Sequence, residues 1–145
     1  MAVSASVVDL TATEKVFIGE AASNAIASEA NRLGASRVFL MVSRTLNTHT
    51  DEIDKIRRAL GTRVAGTYDG MPSHAPRSAV LAAAAMARSA GADMIVTVGG
   101  GSITDAGKIV SLCLKHILRD HDDLEPYHVY VDDSGAVIKP VFEGL

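Results

Sequence analysis

Three joints of one kind recur along the chain: ANRLGASRVFLMVS, RRALGTRVAGTY and RSAGADMIVTVGG. In each, a helical pattern is closed by a glycine, two or three residues follow, and a β-rich run begins. A glycine just past a helix takes the left-handed conformation at no steric cost. Gly34, Gly61 and Gly91 recur at about the 30-residue spacing of βαβ units. The pattern predicts helices near Ala21 to Leu33, Thr50 to Leu60, Pro76 to Ala90 and Ser102 to Ile117. Strands are predicted near Val16 to Ile18, Arg37 to Val42, Arg63 to Thr67 and Met94 to Val98. Val38 to Val42 and Met94 to Val98 are almost continuously apolar, as parallel strands covered on both faces are. The alternation specifies an α/β fold: a doubly wound, mainly parallel sheet with helices on both faces. The last helix carries Ile103, Ala106, Val110, Cys113 and Ile117 on one stripe, which is expected to be buried. Cys113 on that stripe reads as core and not as a nucleophile.

Composition narrows the function classes. Of 145 residues, 48% are apolar and 21% charged, the profile of a soluble globular protein. The net charge of -3 and the dispersed lysines and arginines argue against nucleic-acid and anionic-membrane partners. A single cysteine forms no internal disulfide, so a reducing cytoplasm is expected. The start MAVSASVVDLTATEK has no basic and long apolar pattern of a signal peptide. The run AVLAAAAMARSAGA is broken by Arg88 and Gly91, far short of a membrane span.

The stretch VTVGGGSITDAGKIV carries the candidate site. In open α/β sheets, ligands bind beyond the carboxyl ends of strands, where a loop enters a helix. Unpaired backbone N–H groups and the positive end of the helix dipole suit a phosphate or pyrophosphate there. At Gly99, Gly100 and Gly101 a Cβ would hold those amides away from the anion. Ser102 offers a hydroxyl donor. It also fits a capping box with Asp105 at N3, and one residue can serve both ends. Asp105 and Lys108 are placed to form a weak surface pair. Two standard phosphate loops are excluded. Between Gly101 and Gly107 there is one residue too many for a P-loop, and Ile109 follows Lys108. Thr104 stands where the dinucleotide pattern needs its third glycine.

Gly99-Gly100-Gly101-Ser102-x-x-Asp105-x-x-Lys108 resembles the GGGSxxDxxK signature of the iron-containing alcohol dehydrogenase superfamily. VFIGEAASNAIASEANRLGASRVFLMVSRTL resembles that family's opening strand, helix and second strand. YDGMPSHAPRSAV is similar to its segment before the third helix, with His74-x-Pro76 nearest to the maleylacetate reductase branch. The resemblance covers most of Val16 to Leu114. It implies a Rossmann-like domain of an NAD(P)-dependent oxidoreductase that passes a hydride between nicotinamide and an alcohol or carbonyl carbon. Carried over by position, Gly99 to Ser102 would hold the cofactor pyrophosphate. Asp105 and Lys108 would line the same cleft near the ribose and nicotinamide. His74 would stand at the cleft mouth as a substrate-pocket candidate, or as a structural or solvated histidine. Where the family often carries an acidic residue at the end of its second strand, this chain has Ser43 and Arg44. That pair would tolerate or favour NADP over NAD, or Arg44 is a solvated loop residue.

Residues 1–118 are thus expected to form the dinucleotide-binding part. Residues 119–145 are expected to form a charged turn at HDDLE and a hairpin turning around Asp133 to Gly135. The chain stops at FEGL, short of the family's next cofactor-contacting strand and of its helical domain. It is therefore read as a fragment or truncated product that binds a dinucleotide without catalysing. The resemblance implies that the absent helical domain would supply a divalent metal, iron or zinc, through an aspartate and histidines. The five histidines of this chain show no metal spacing. A homodimer is expected, with the edge near Val129 to Val131 as one possible contact. Two other classes remain open: a non-catalytic nucleotide-binding module, and a dehydroquinate synthase-like domain with a related glycine loop and no hydride chemistry.

Overall fold

The computed structural model describes residues 13–138. Its centre is β1 (Val38–Val42), every residue of which is buried. The pleat divides this strand between two cores. Phe39 and Met41 face a cluster with Val80, Ala83, Ala84 and Ala87 of α4 (Arg77–Ser89) and Ile103, Ala106, Val110 and Cys113 of α5 (Gly101–His116). Val38, Leu40 and Val42 face Ala30 of α1 (Ala22–Arg32) and Ile53, Ile56 and Leu60 of α3 (Glu52–Leu60). The result is three layers, helix on sheet on helix.

Parallel pairing joins β1 to β2 (Val64–Tyr68) on one side and to β3 (Met94–Val98) on the other. The order is β2-β1-β3. Only Val96 of β3 is buried, because β3 is covered by a neighbour on one edge alone among the described residues. All three joint glycines have positive φ, 67° at Gly34, 58° at Gly61 and 62° at Gly91. At the amino ends of β1 and β3, Asp93 accepts from the backbone N–H groups of Ser36 and Arg37 and from the Ser36 hydroxyl. The Ser36 and Arg37 amides hold its carboxyl below the usual carboxylate range.

Several expectations need correction. Val16 to Ile18 is not a strand; it finds no ladder partner among the described residues and lies largely exposed. Ion pairs Lys15–Glu29 and Arg32–Glu14 tie this segment to α1 instead. After β1 the chain forms α2 (Arg44–His49), a short helix whose six residues carry too little periodicity to read in advance. HDDLE is not an open turn: His121–Leu124 is α6, with a capping box between Asp120 and Asp123 and with Leu124 buried. A hairpin does follow, β4 (Tyr130–Val131) against β5 (Val137–Ile138). Asp132 accepts from the backbone of Ser134 and Ala136 at its turn. The expected arm beyond Ile138 lies outside the described residues.

Ile117 does not join the buried stripe. Helix α5 ends at His116 and Ile117 takes a left-handed conformation, φ 59°, with 62% exposure. Leu118 turns inward instead, its N–H bonding the Cys113 carbonyl at 3.0 Å. A β-branched residue is strained in that conformation. Ile117→Gly is therefore expected to stabilise the fold by about 1 kcal/mol, read as a higher urea midpoint. An unchanged or lower midpoint would show that the turn carries no strain. Cys113 is fully buried as expected, and burial pushes its thiol up.

Candidate functional site

The two helical layers place the chain's turns. From β1 the chain runs through α2 and α3 over one face to β2. From β2 it runs through α4 over the other face to β3 on the opposite side of β1. The loops leaving β1 and β3 therefore diverge to opposite faces, which opens a crevice between their carboxyl ends. Ser43 stands at the end of β1 and Gly99 at the end of β3, joined by the Ser43 N–H to the Val98 carbonyl at 2.8 Å.

A cleft of about 280 Å³ lies there, lined by Ser43, Arg44, Thr45, Met71, Ser73, Gly100, Gly101, Ser102 and Ile103. Each glycine of the run has its own surroundings. Gly99 has φ 151°, and a Cβ on it would stand 3.1 Å from the Ser43 Cβ and from Ile103. The close approach of the two strand ends requires a glycine at this position. Around Gly100 and Gly101 nothing lies within 4 Å of an added Cβ. Their freedom leaves the start of α5 bare toward the cleft. Further along α5, a Cβ at buried Gly107 would meet Thr97 of β3 at 2.3 Å, so helix and strand pack backbone to side chain there.

The capping box foreseen at Ser102 is not formed. The N-cap is Gly100, with Ser102 one residue inside the helix. The Ser102 Oγ accepts from the His74 backbone N–H at 3.1 Å. His74 and Ala75 both have positive φ, 64° and 45°. This strained turn brings the segment before α4 against the glycine loop, where Met71 and Ser73 line the cleft. The exposed His74 lies outside its wall and touches it only through the bond to Ser102. Asp105 and Lys108 pair with each other at 3.1 Å, each 70% exposed, one turn along α5 and outside the cleft wall. Ser43 and Arg44 line the cleft with Gly100 to Ser102, as the sequence reading groups them.

Thr45, Met71, Ser73 and Ile103 complete the wall and were not foreseen. Nor was Asp69, which follows β2 and faces Arg44 at 3.7 Å. The rule that picks out residues after strand ends applies equally to β2, and it would have found Asp69. Burial raises the neighbouring Tyr68 phenol above its ordinary value, the Arg44 charge pulling it partly back. Among the described residues no three of His, Cys, Asp and Glu gather into a set that could hold a metal ion. Among the same residues no helix is long and apolar enough to cross a membrane.

A parallel sheet sandwiched by helices, with a glycine loop at its switch point, defines an open α/β domain, the class in which ligands bind at the strand ends. Residues 13–139 match the model of the iron-containing alcohol dehydrogenase family, and the chain belongs to that family. It is 35% identical over 105 residues to maleylacetate reductase 2 of Cupriavidus pinatubonensis, covering 72% of this chain and 28% of that protein. Dehydrogenase FUM7 of Gibberella moniliformis is 34% identical over 89 residues, 61% of this chain and 21% of that one. The solved maleylacetate reductase of a Rhizobium species superposes with a TM-score of 0.60 at 31% identity, covering 67% of this chain and 27% of that one. This chain thus spans between a fifth and a third of the length of these relatives.

Proposed function

We propose that the crevice between β1 and β3 is the dinucleotide site of an NAD(P)-dependent oxidoreductase of the alcohol dehydrogenase kind, related to the maleylacetate reductases. What carries this reading is the glycine loop at the switch point. A helix start leaves its first amides without an intrahelical acceptor. A Cβ added at Gly100 or Gly101 would meet open space, so an anion could approach α5 there. The pyrophosphate would rest on Gly99 to Ser102, with Ser43 and Arg44 beneath the adenosine ribose. The family match and the maleylacetate reductase relatives support the same reading. When bound, the nicotinamide supplies the hydride and this chain supplies orientation and charge. The substrate is a small alcohol or carbonyl compound. The reading assigns a divalent metal, where one takes part, to residues outside those described.

Titration of the purified chain with NADH and with NADPH, followed by nicotinamide fluorescence, tests it. The chain has no tryptophan to interfere. Saturable binding is expected, weakened at least about tenfold in Gly100→Val. That Cβ meets open space, so the loss of unfolding free energy should not exceed about 1 kcal/mol, the cost of replacing a glycine N-cap. Binding that survives Gly100→Val unchanged removes the loop from the site, and no binding of either cofactor removes the reading.

A further inference from the structure

We infer that Asp69 is the cofactor-selecting residue of this cleft and makes it prefer NADH over NADPH. The inference rests on the dinucleotide reading of the cleft. Three strand ends stand in a row: Gly99 after β3, Ser43 after β1 and Asp69 after β2. Tyr68 pairs with Met41, so Asp69 comes level with the last residues of β1. Two strand spacings, roughly 10 Å, separate it from the glycine loop. Asp69 stands just outside the cleft wall beside Arg44, which lines it, and a ribose linked to a pyrophosphate on the loop would extend across β1 toward this pair.

The carboxylate is held in place. Its Oδ2 accepts from the Asn47 amide at 2.9 Å, and the Asn47 Oδ1 accepts from Arg57 at 2.8 Å. Its Oδ1 faces the Arg44 guanidinium at 3.7 Å, longer than a charge-assisted hydrogen bond, which leaves it able to accept a ribose hydroxyl. Arg44 is the opposing influence, because a cation favours a 2′-phosphate. The two groups differ in fixity and screening. The Asp69 side chain is 32% exposed and anchored through α2, whereas that of Arg44 is 70% exposed and already turned toward Asp69. A 2′-phosphate would bring close to two negative charges beside a fixed carboxylate, while its attraction to Arg44 is screened by solvent. Repulsion prevails, and the ribose diol is preferred. The acidic group that the end of β1 lacks is thereby supplied from the next strand.

The test compares NADH and NADPH affinities in the parent chain, in Asp69→Asn and in Asp69→Asn with Arg44→Ala. The parent is expected to bind NADH more tightly. Asp69→Asn should shift the ratio toward NADPH by about tenfold, the effect of one nearby charge. Adding Arg44→Ala should abolish that gain, since the freed guanidinium would be what holds the 2′-phosphate. Asp69→Ser serves as a second variant, should the new amide disturb Asn47. A parent that prefers NADPH overturns the inference, as does a ratio unchanged in both Asp69 variants. If binding depends on Gly100 and the ratio does not move, the inference falls and the dinucleotide reading stands. If neither cofactor binds, both fall.

Discussion

Gly107→Ala is expected to destabilise the fold by about 1–3 kcal/mol, the usual cost of overpacking a tight contact. Propensity alone points the other way, since alanine favours a helix over glycine by about 1 kcal/mol. The decision comes from one distance: the new Cβ would sit 2.3 Å from the Thr97 Cγ2, on a β-branched side chain with little rotamer freedom. The Thr97 Cβ itself lies at 3.7 Å, an ordinary contact. Removing the Thr97 methyl should therefore remove the clash. In a Thr97→Ala background the same Gly107→Ala change is expected to be neutral or stabilising by up to about 1 kcal/mol. Urea unfolding of the four proteins measures the cycle. Equal costs in both backgrounds would mean that the glycine is needed for something other than Thr97.

Arg88→Ala should cost about 2–3 kcal/mol. Its Nη2 donates to the Cys113 carbonyl at 3.1 Å and to the Leu118 carbonyl at 2.9 Å. The Cys113 carbonyl lies in the last turn of α5 and that of Leu118 just beyond it, where backbone donors run out. A cation there also complements the helix dipole. Loss of the side chain removes two charge-assisted bonds, leaving the Leu118 carbonyl to water while the Cys113 carbonyl keeps the Leu118 N–H. Charged hydrogen bonds are the expensive kind to lose. Arg88→Lys should recover only part of the loss, because a flexible ammonium does not reproduce the planar fork. A loss below about 0.5 kcal/mol in Arg88→Ala would mean that water replaces the guanidinium there.

What could be read in advance was local. Gly34, Gly61 and Gly91 mark the helix ends because positive φ is decided by the residue itself. The apolar run Val38–Val42 announces a strand covered on both faces because burial is written in composition. The failures came from partners distant in sequence. Val16 to Ile18 has the composition of a strand, but no ladder edge is given to it. Ile117 and Leu118 exchange roles because the helix stops one residue early, which periodicity does not register. Gly107 drew no attention as a packing residue, since only the facing Thr97 gives it meaning. Gly100 to Ser102 and Ser43–Arg44, placed together by the sequence, line one cleft. Asp69, 25 positions after Arg44, was found only once β2 was placed beside β1.

The glycines of this chain also differ in what would preserve them over generations. At Gly99 and Gly107 a side chain collides with the fold, so selection for a folded chain alone would keep them. At Gly100 and Gly101 the fold imposes no such demand. In a lineage that had ceased to bind its ligand, these two positions would be free to drift while their neighbours stayed fixed. If the proposed site is in use, glycine at these two positions should persist for the ligand's sake, separately from the packing that holds Gly99 and Gly107.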